Sequence, residues 1–301
     1  MSVTVPPPPS TLTLPRLLCL HGGGVTAEIF RLQSRTLLTH LSPYFRLVFA
    51  DGPFLCNPGP GMIPVYADYG PYRRWLRWLP HEHGEVDGGD AKAVELIEAQ
   101  MQAAMAADDA RGATGEWVGL VGFSQGAKVA ASVLYETQLR QEEAEREAGE
   151  ADGMYGGFSD EVENVEGLAG GKWKFAVLMA GRAPLVNLSE RAAGSKTMVK
   201  AGEISEGFTF DQEVNANVLR LPTVHVHGTK DPGLHLHRKL LETYCWKPST
   251  TVVEWEGEHR IPLKGTDVKK VVEATLQVAV VSKAVLEDYR VVVGAALGMI
   301  D

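Results

Sequence analysis

Cysteine is scarce. Cys19, Cys56 and Cys245 are odd in number and too widely spaced for a disulfide framework or a paired metal-ligand motif. A reducing compartment is expected. Basic residues are also in deficit: 29 Lys+Arg stand against 38 Asp+Glu, a formal net charge of −9, with no dense Lys/Arg stripe. The electrostatic footprint of nucleic-acid binding is missing, so no nucleic-acid partner is expected. Long apolar runs are lacking as well; residues 291–300, the most apolar late segment, fall far short of a membrane span. Residues 1–10 have no basic n-region and carry prolines where a signal peptide needs an apolar helix. Residues 1–13 therefore read as a flexible leader, and a soluble, cytoplasmic protein is expected.

What is present fits one large α/β domain over residues 14–301, a size a single buried core can support. Short β-branched or apolar runs at 16–20, 47–50, 117–122, 174–180, 223–227 and 251–255 alternate with helical patterns at 27–41, 91–107, 125–141, 234–244 and 266–281. Val94, Ile97 and Met101 illustrate the helical spacing. That alternation predicts a mostly parallel central sheet flanked by helices. Two insertions interrupt it, near 53–90 and 141–172. The first holds Tyr69, Tyr72, Trp75 and Trp78, more aromatic surface than a connection needs, and is expected to be a small lid that binds substrate, or else a packed loop. The second is Glu- and Gly-rich and reads as a solvated, mobile segment.

Chemistry concentrates at Gly122-Phe123-Ser124-Gln125-Gly126, which follows an apolar strand and opens a helical pattern. A serine on so sharp a turn needs small residues two positions either side, and glycine stands at both. The helix N-terminus beside it offers free N–H groups to a developing oxyanion, Gln125 donating one. His21-Gly22-Gly23-Gly24 follows the first strand, and the Gly23 N–H is expected as the second donor. His21 is expected to brace that loop rather than act as a base.

With Ser124 as nucleophile, an acid and a base are sought after it in the chain. His225 and His227 lie in a strand pattern and His235 and His237 on a helix, so these read as core or surface residues; a zinc site among them is a minor alternative. His259 follows the last strand, at a carboxyl end where ligands of open α/β sheets gather. It is the candidate base. Asp231, just past another strand and before Pro232, is the candidate acid, with Glu258 as competitor; adjacency to His259 points the Glu258 side chain away. No metal and no organic cofactor is expected. Arg73, Arg74 and Arg77 could meet a phosphate or an acidic carrier domain, although a solvated face explains them as well.

Leu18-Cys19-Leu20-His21-Gly22, Ile29-Phe30, Asp51-Gly52-Pro53, Gly122-Phe123-Ser124-Gln125-Gly126, His227-Gly228-Thr229-Lys230-Asp231 and Gly257-Glu258-His259, in that order, resemble the fungal family of small FSH-type serine hydrolases. The resemblance runs roughly from residue 14 to 281. Pro58-Gly59-Pro60-Gly61 and Gly70-Pro71-Tyr72 resemble the branch associated with polyketide gene clusters and polyketide-releasing thioesterases. It implies an α/β-hydrolase fold, a catalytic triad of Ser124, Asp231 and His259, and cytosolic release of an acyl chain from the acyl carrier domain of a polyketide synthase. The family also contains plain carboxylesterases, so thioester and ester leaving groups both stay open. Acyl transfer and a non-catalytic hydrolase-fold binding protein remain as alternatives.

Overall fold

The computed structural model describes residues 11–77, 89–152, 165–192, 194–203 and 216–285. In chain order the strands are β1 (Arg16–Leu20), β2 (Arg46–Ala50), the two-residue β3 (Phe54–Leu55) and β4 (Arg73–Arg74), β5 (Trp117–Phe123), β6 (Phe175–Met179), the two-residue β7 (Val186–Asn187) and β8 (Val199–Lys200), β9 (Thr223–Gly228) and β10 (Thr250–Trp255). The helices are α1 (Ala27–Gln33), α2 (Arg35–Leu41), α3 (Gly89–Asp109), α4 (Gln125–Asp152), α5 (Leu234–Tyr244) and α6 (Gly265–Val281). Six strands form one sheet in the order β10-β9-β6-β5-β1-β2, and every pairing in it is parallel. Parallel sheets need cover on both faces, which is why β1, β5 and β6 read as unbroken apolar runs rather than alternating ones.

Alternate residues serve two separate cores. Leu18 and Leu20 of β1 face α3, α4 and α5, packing with Ile97, Met101, Val133, Leu134 and Leu240. Leu17 and Cys19 face the other way, toward Phe30, Leu37, Leu41, Val268 and Val271 of α1, α2 and α6. Each fully buried Leu or Val contributes about 1.5–3 kcal/mol, so two dry layers hold the sheet's far ends in place for whatever sits there.

Three expectations change. The pattern over 27–41 is two helices, because the buried Ser34 (φ −89°, ψ 7°) closes α1 with its N–H on the Phe30 carbonyl and starts α2. The charged run after residue 141 is no mobile insertion up to Asp152, since α4 continues through it. Just before it Arg140 pairs with Glu136 at 3.1 Å within the helix, and within it Glu143 pairs with Arg191, outside the helix, at 2.6 Å. Arg220 is joined to Glu142 in the same way. The i,i+4 pair supports the helix where it leaves the core that buries its first half. Residues 153–164 of that expected insertion lie outside the described residues. Finally, the expected leader ends early: residues 11–13 form a turn whose Leu12 carbonyl accepts the Thr114 N–H at 2.8 Å. Residues 1–10 lie outside the described residues.

Candidate active site

Ser124 stands between β5 and α4 with φ 52°, the left-handed region that costs a side-chain-bearing residue of order 1–3 kcal/mol. The turn is forced by its neighbours. A Cβ on Gly126 would lie 2.0 Å from the Leu20 carbonyl oxygen, and one on Gly122 would lie 2.4 Å from the Ala127 Cα. Only glycine lets strand and helix approach so closely. The Ser124 N–H donates to the Met179 carbonyl at 2.8 Å, fixing the turn to the end of β6.

The loops after β9 and β10 are joined along their length. Thr229 N–H donates to the Trp255 carbonyl and Lys230 N–H to the Gly257 carbonyl, both at 2.9 Å, and a Cβ on Gly228 would meet the Glu258 and Gly257 carbonyl oxygens at 2.5 Å. That seam brings Asp231 and His259 together. His259 Nδ1 lies 2.7 Å from Asp231 Oδ2, and His259 Nε2 lies 2.9 Å from Ser124 Oγ. With the ring proton on Nδ1, Nε2 is left as the acceptor of the serine hydroxyl. Asp231 also accepts the Gly233 N–H on Oδ1 at 2.7 Å, so one carboxylate both shapes the start of α5 and orients the imidazole. Burial works to raise the Asp231 pKa, but the Gly233 N–H and the two histidines outweigh it and hold the carboxyl below its ordinary range. The competing Glu258 side chain is 68% exposed and leans toward Arg260.

His21 has a histidine's chemistry and none of its freedom. It is fully buried, Nδ1 donates to the Gly22 carbonyl at 2.6 Å and Nε2 accepts the Gly52 N–H at 2.8 Å. Burial, against the pull of the Gly22 carbonyl and Asp51, takes its pKa down to about 4. Both ring nitrogens are engaged, and the neutral ring ties the end of β1 to the end of β2. On the rim above, Gly23 is exposed, and Gln125 is the first residue of α4, whose N–H has no acceptor within its own helix. Among the described residues neither the Gly23 nor the Gln125 N–H has a backbone acceptor. A Cβ on Gly22 would come 3.5 Å from the Ser124 Cβ, and one on Gly23 would come 3.6 Å from the Gln125 carboxamide oxygen, so the glycine loop packs against the start of α4.

The aromatic segment divides. Trp75 is fully buried, its indole N–H donating to the His21 carbonyl at 3.0 Å and its ring 5.5 Å from that histidine. Tyr72 is buried beside Val25 and Ile29, its hydroxyl donating to the Tyr66 carbonyl at 2.6 Å. Both side chains are spent on protein contacts, which corrects the expectation that their faces line a ligand. Tyr69 is half-buried, with its ring edge-on to Tyr66 at 5.6 Å, and Trp78 lies outside the described residues. Of the arginines, Arg74 turns inward and donates to the Leu76 carbonyl at 2.9 Å, and Arg73 donates to the Gly52 carbonyl at 3.3 Å.

Two contributors went unread in the sequence. The Gln125 carboxamide accepts the N–H groups of Trp75 (2.7 Å) and Leu76 (3.2 Å) and donates to the Leu76 carbonyl (2.9 Å). His237, fully buried one turn into α5, sits with Nε2 2.9 Å from Asp231 Oδ2. The available signal was its place in the first turn of a helix that starts at the candidate acid. Of the other histidines after Ser124, His225 and His227 are buried in β9, His235 is exposed, and His237 is turned to Asp231. Asp231, His237 and His259 do bring ligand-type atoms within 4.8 Å of one another. Their contacts of 2.7 and 2.9 Å are hydrogen bonds onto one oxygen of Asp231.

Residues 11–271 match the family model described as Serine hydrolase (FSH1). Esterase pigG of Monascus ruber is 49% identical over 274 residues, covering 90% of this chain and 93% of that protein. Esterase citA, also of Monascus ruber, is 44% identical over 261 residues, covering 87% and 90%. Among solved structures, Zea mays acyl-protein thioesterase 2 overlaps with a TM-score of 0.48 at 15% identity, covering 90% of this chain and 96% of that one.

Proposed function

The chain belongs to the serine hydrolase (FSH1) family, and from that premise we propose that it cleaves an acyl ester or thioester through an acyl intermediate on Ser124. The observation that supports this most is the unbroken chain from Ser124 Oγ to His259 Nε2 at 2.9 Å and from His259 Nδ1 to Asp231 Oδ2 at 2.7 Å. His259 takes the hydroxyl proton as the oxygen attacks the acyl carbon, then returns it to the leaving alkoxide or thiolate. Asp231 fixes the tautomer and stabilises the imidazolium. The N–H groups of Gly23 and Gln125 receive the oxyanion, a contribution worth about 2.7–4 kcal/mol per donor in comparable sites. Water, activated by the same imidazole, then releases the acid and restores the serine.

For the acyl group, the reading is a polyketide chain presented on a synthase carrier domain. Two features support it: the resemblance of residues 58–61 and 70–72 to the polyketide-associated branch, and the surface around them. Leu55, Ile63 and Val65 are 57%, 53% and 72% exposed on the loop whose Gly59 N–H donates to the Gly24 carbonyl at 2.8 Å. Apolar side chains exposed beside the oxyanion loop suit a hydrocarbon-rich substrate. Tyr69 is the aromatic assigned to the substrate side. Among the described residues no helix is long and apolar enough to cross a membrane.

A fluorophosphonate probe should label the wild-type protein and fail on Ser124→Ala; labelling that survives the substitution overturns Ser124 as nucleophile. Intact mass spectrometry of acylated carrier domain should show loss of the acyl mass on adding the enzyme. Retention of that mass alongside turnover of a simple ester would replace carrier release with plain ester cleavage.

A further inference from the structure

We propose that His237 is a positioning residue that donates a second hydrogen bond to Asp231 and so sets how strongly that carboxylate supports His259; this rests on the triad roles proposed above. Asp231 Oδ2 receives two imidazoles, His259 at 2.7 Å and His237 at 2.9 Å. The two rings lie nearly parallel, 5.9 Å apart and 22° from coplanar. On its other side His237 Nδ1 lies 3.0 Å from the Gly181 carbonyl oxygen.

Both partners of His237 are acceptors only, and a neutral imidazole has one N–H. Burial lowers the ring's pKa, against the raising pull of Asp231 and Gly181, and favours the neutral form. Two tautomers then compete. A lone pair facing a full carboxylate charge at 2.9 Å costs more than one facing a neutral carbonyl dipole at 3.0 Å, so the proton belongs on Nε2, directed at Asp231. Each N–H on Oδ2 draws charge from the oxygen that His259 leans on. Without the second donor, the carboxylate would hold the His259 proton more strongly.

Several charged and titratable groups among the described residues surround this arrangement. Beyond Asp231 and His259, the His227 ring lies 5.9 Å from His237, and burial with His237 beside it takes its pKa down to about 4. Arg182 comes from the β6 side, its charge interacting with Asp231, and a Cβ on Gly233 would lie 2.8 Å from its Nη2. Arg238 and Glu254 form an exposed pair at 2.9 Å beyond His227, and Glu258 and Arg260 flank His259 from the solvent side. Of these, only His259 and His237 share a hydrogen-bonding atom of Asp231.

The wild-type protein gives the first test. Imidazole nitrogen shifts measured near neutral pH should show His237 protonated on Nε2; a proton on Nδ1 alone would overturn the proposal. The second test compares His237→Phe, which keeps a ring and removes the donor, with His237→Gln, whose amide can donate without titrating. The acid limb of kcat/KM against pH should move up by roughly one unit in the Phe variant and return toward wild type in the Gln variant. A Phe variant with the wild-type profile, or a Gln variant that matches Phe, overturns it. If the Phe variant does not fold, the wild-type tautomer still decides. The nitrogen measurement does not use turnover, so its failure is distinct from failure of the proposed reaction, which shows as probe labelling that persists in Ser124→Ala.

Discussion

Asp108 and Asp231 stand at opposite ends of the same sheet, each side chain about 1% exposed, and they have been given different partners. At the end where β1 and β2 begin, Asp108 is gripped by Arg46, through Nε at 2.8 Å and Nη2 at 2.6 Å, with Arg16 Nη1 at 3.5 Å. Arg16 itself lies over the Trp117 ring at 4.1 Å and donates to the Gly115 carbonyl. Burial works to raise the Asp108 pKa, but the bonds and charges of Arg46 and Arg16 hold it below the usual carboxylate range. At the other end Asp231 is also held low, but by imidazoles and one backbone N–H. A guanidinium keeps its proton at any pH a cell meets, so the first corner can only hold the fold together. An imidazole can give its proton up, so the second can take part in a reaction.

Isosteric amides at the two positions should separate these roles. Asp231→Asn is expected to leave the protein folded and to reduce kcat about 10⁴-fold, by analogy with loss of the triad carboxylate elsewhere, measured on a simple ester. A rate within a few-fold of wild type would remove Asp231 as the acid. Asp108→Asn should do the reverse: about 3–5 kcal/mol of stability lost in a denaturant titration, from leaving buried guanidinium charge uncompensated, with kcat unchanged in the folded fraction. A stable Asp108→Asn protein with impaired turnover would collapse the comparison.

Acid should sharpen it further. His21, His225 and His227 have folded pKa values near 4, 3 and 4, each lowered first by burial from an unfolded value of 6.5. Below 6.5 the unfolded chain binds protons that these rings refuse when folded. Stability is therefore full above that pH and falls as pH drops toward 4, by roughly 1.4 kcal/mol per group and per pH unit. The two depressed carboxylates begin to lose their contribution only below ~3.9. Unfolding midpoints measured from pH 7 to pH 4 should thus decline before either of these two carboxylates titrates, and a flat profile would contradict the burial of the histidines.

Much of this was open to reading from the residues, for reasons that differ by element. The inner strands β1, β5 and β6 showed because parallel strands buried on both faces must be apolar runs, the partly exposed edge strand β10 showed through its β-branched residues, and Ser124 showed because glycine on both sides has a steric cause visible in the chain. Asp231 and His259 were reachable through strand ends. What escaped needed side-chain direction. Trp75 looked like ligand surface, yet its indole finds a carbonyl inward; His237 looked like any helical histidine until the turn at Gly233 aimed it at Asp231. The length of α4 escaped because the start of its charged stretch, at Glu142 and Glu143, pairs with the distant residues Arg220 and Arg191, which no local pattern reports.

The carboxamide of Gln125 has a mechanical consequence. A swinging flap must be loose along one edge, and the stretch at Trp75 and Leu76 is not: lifting it away ruptures three hydrogen bonds at once and pulls an indole from the interior. The backing behind the nucleophile turn is therefore built like fixed masonry.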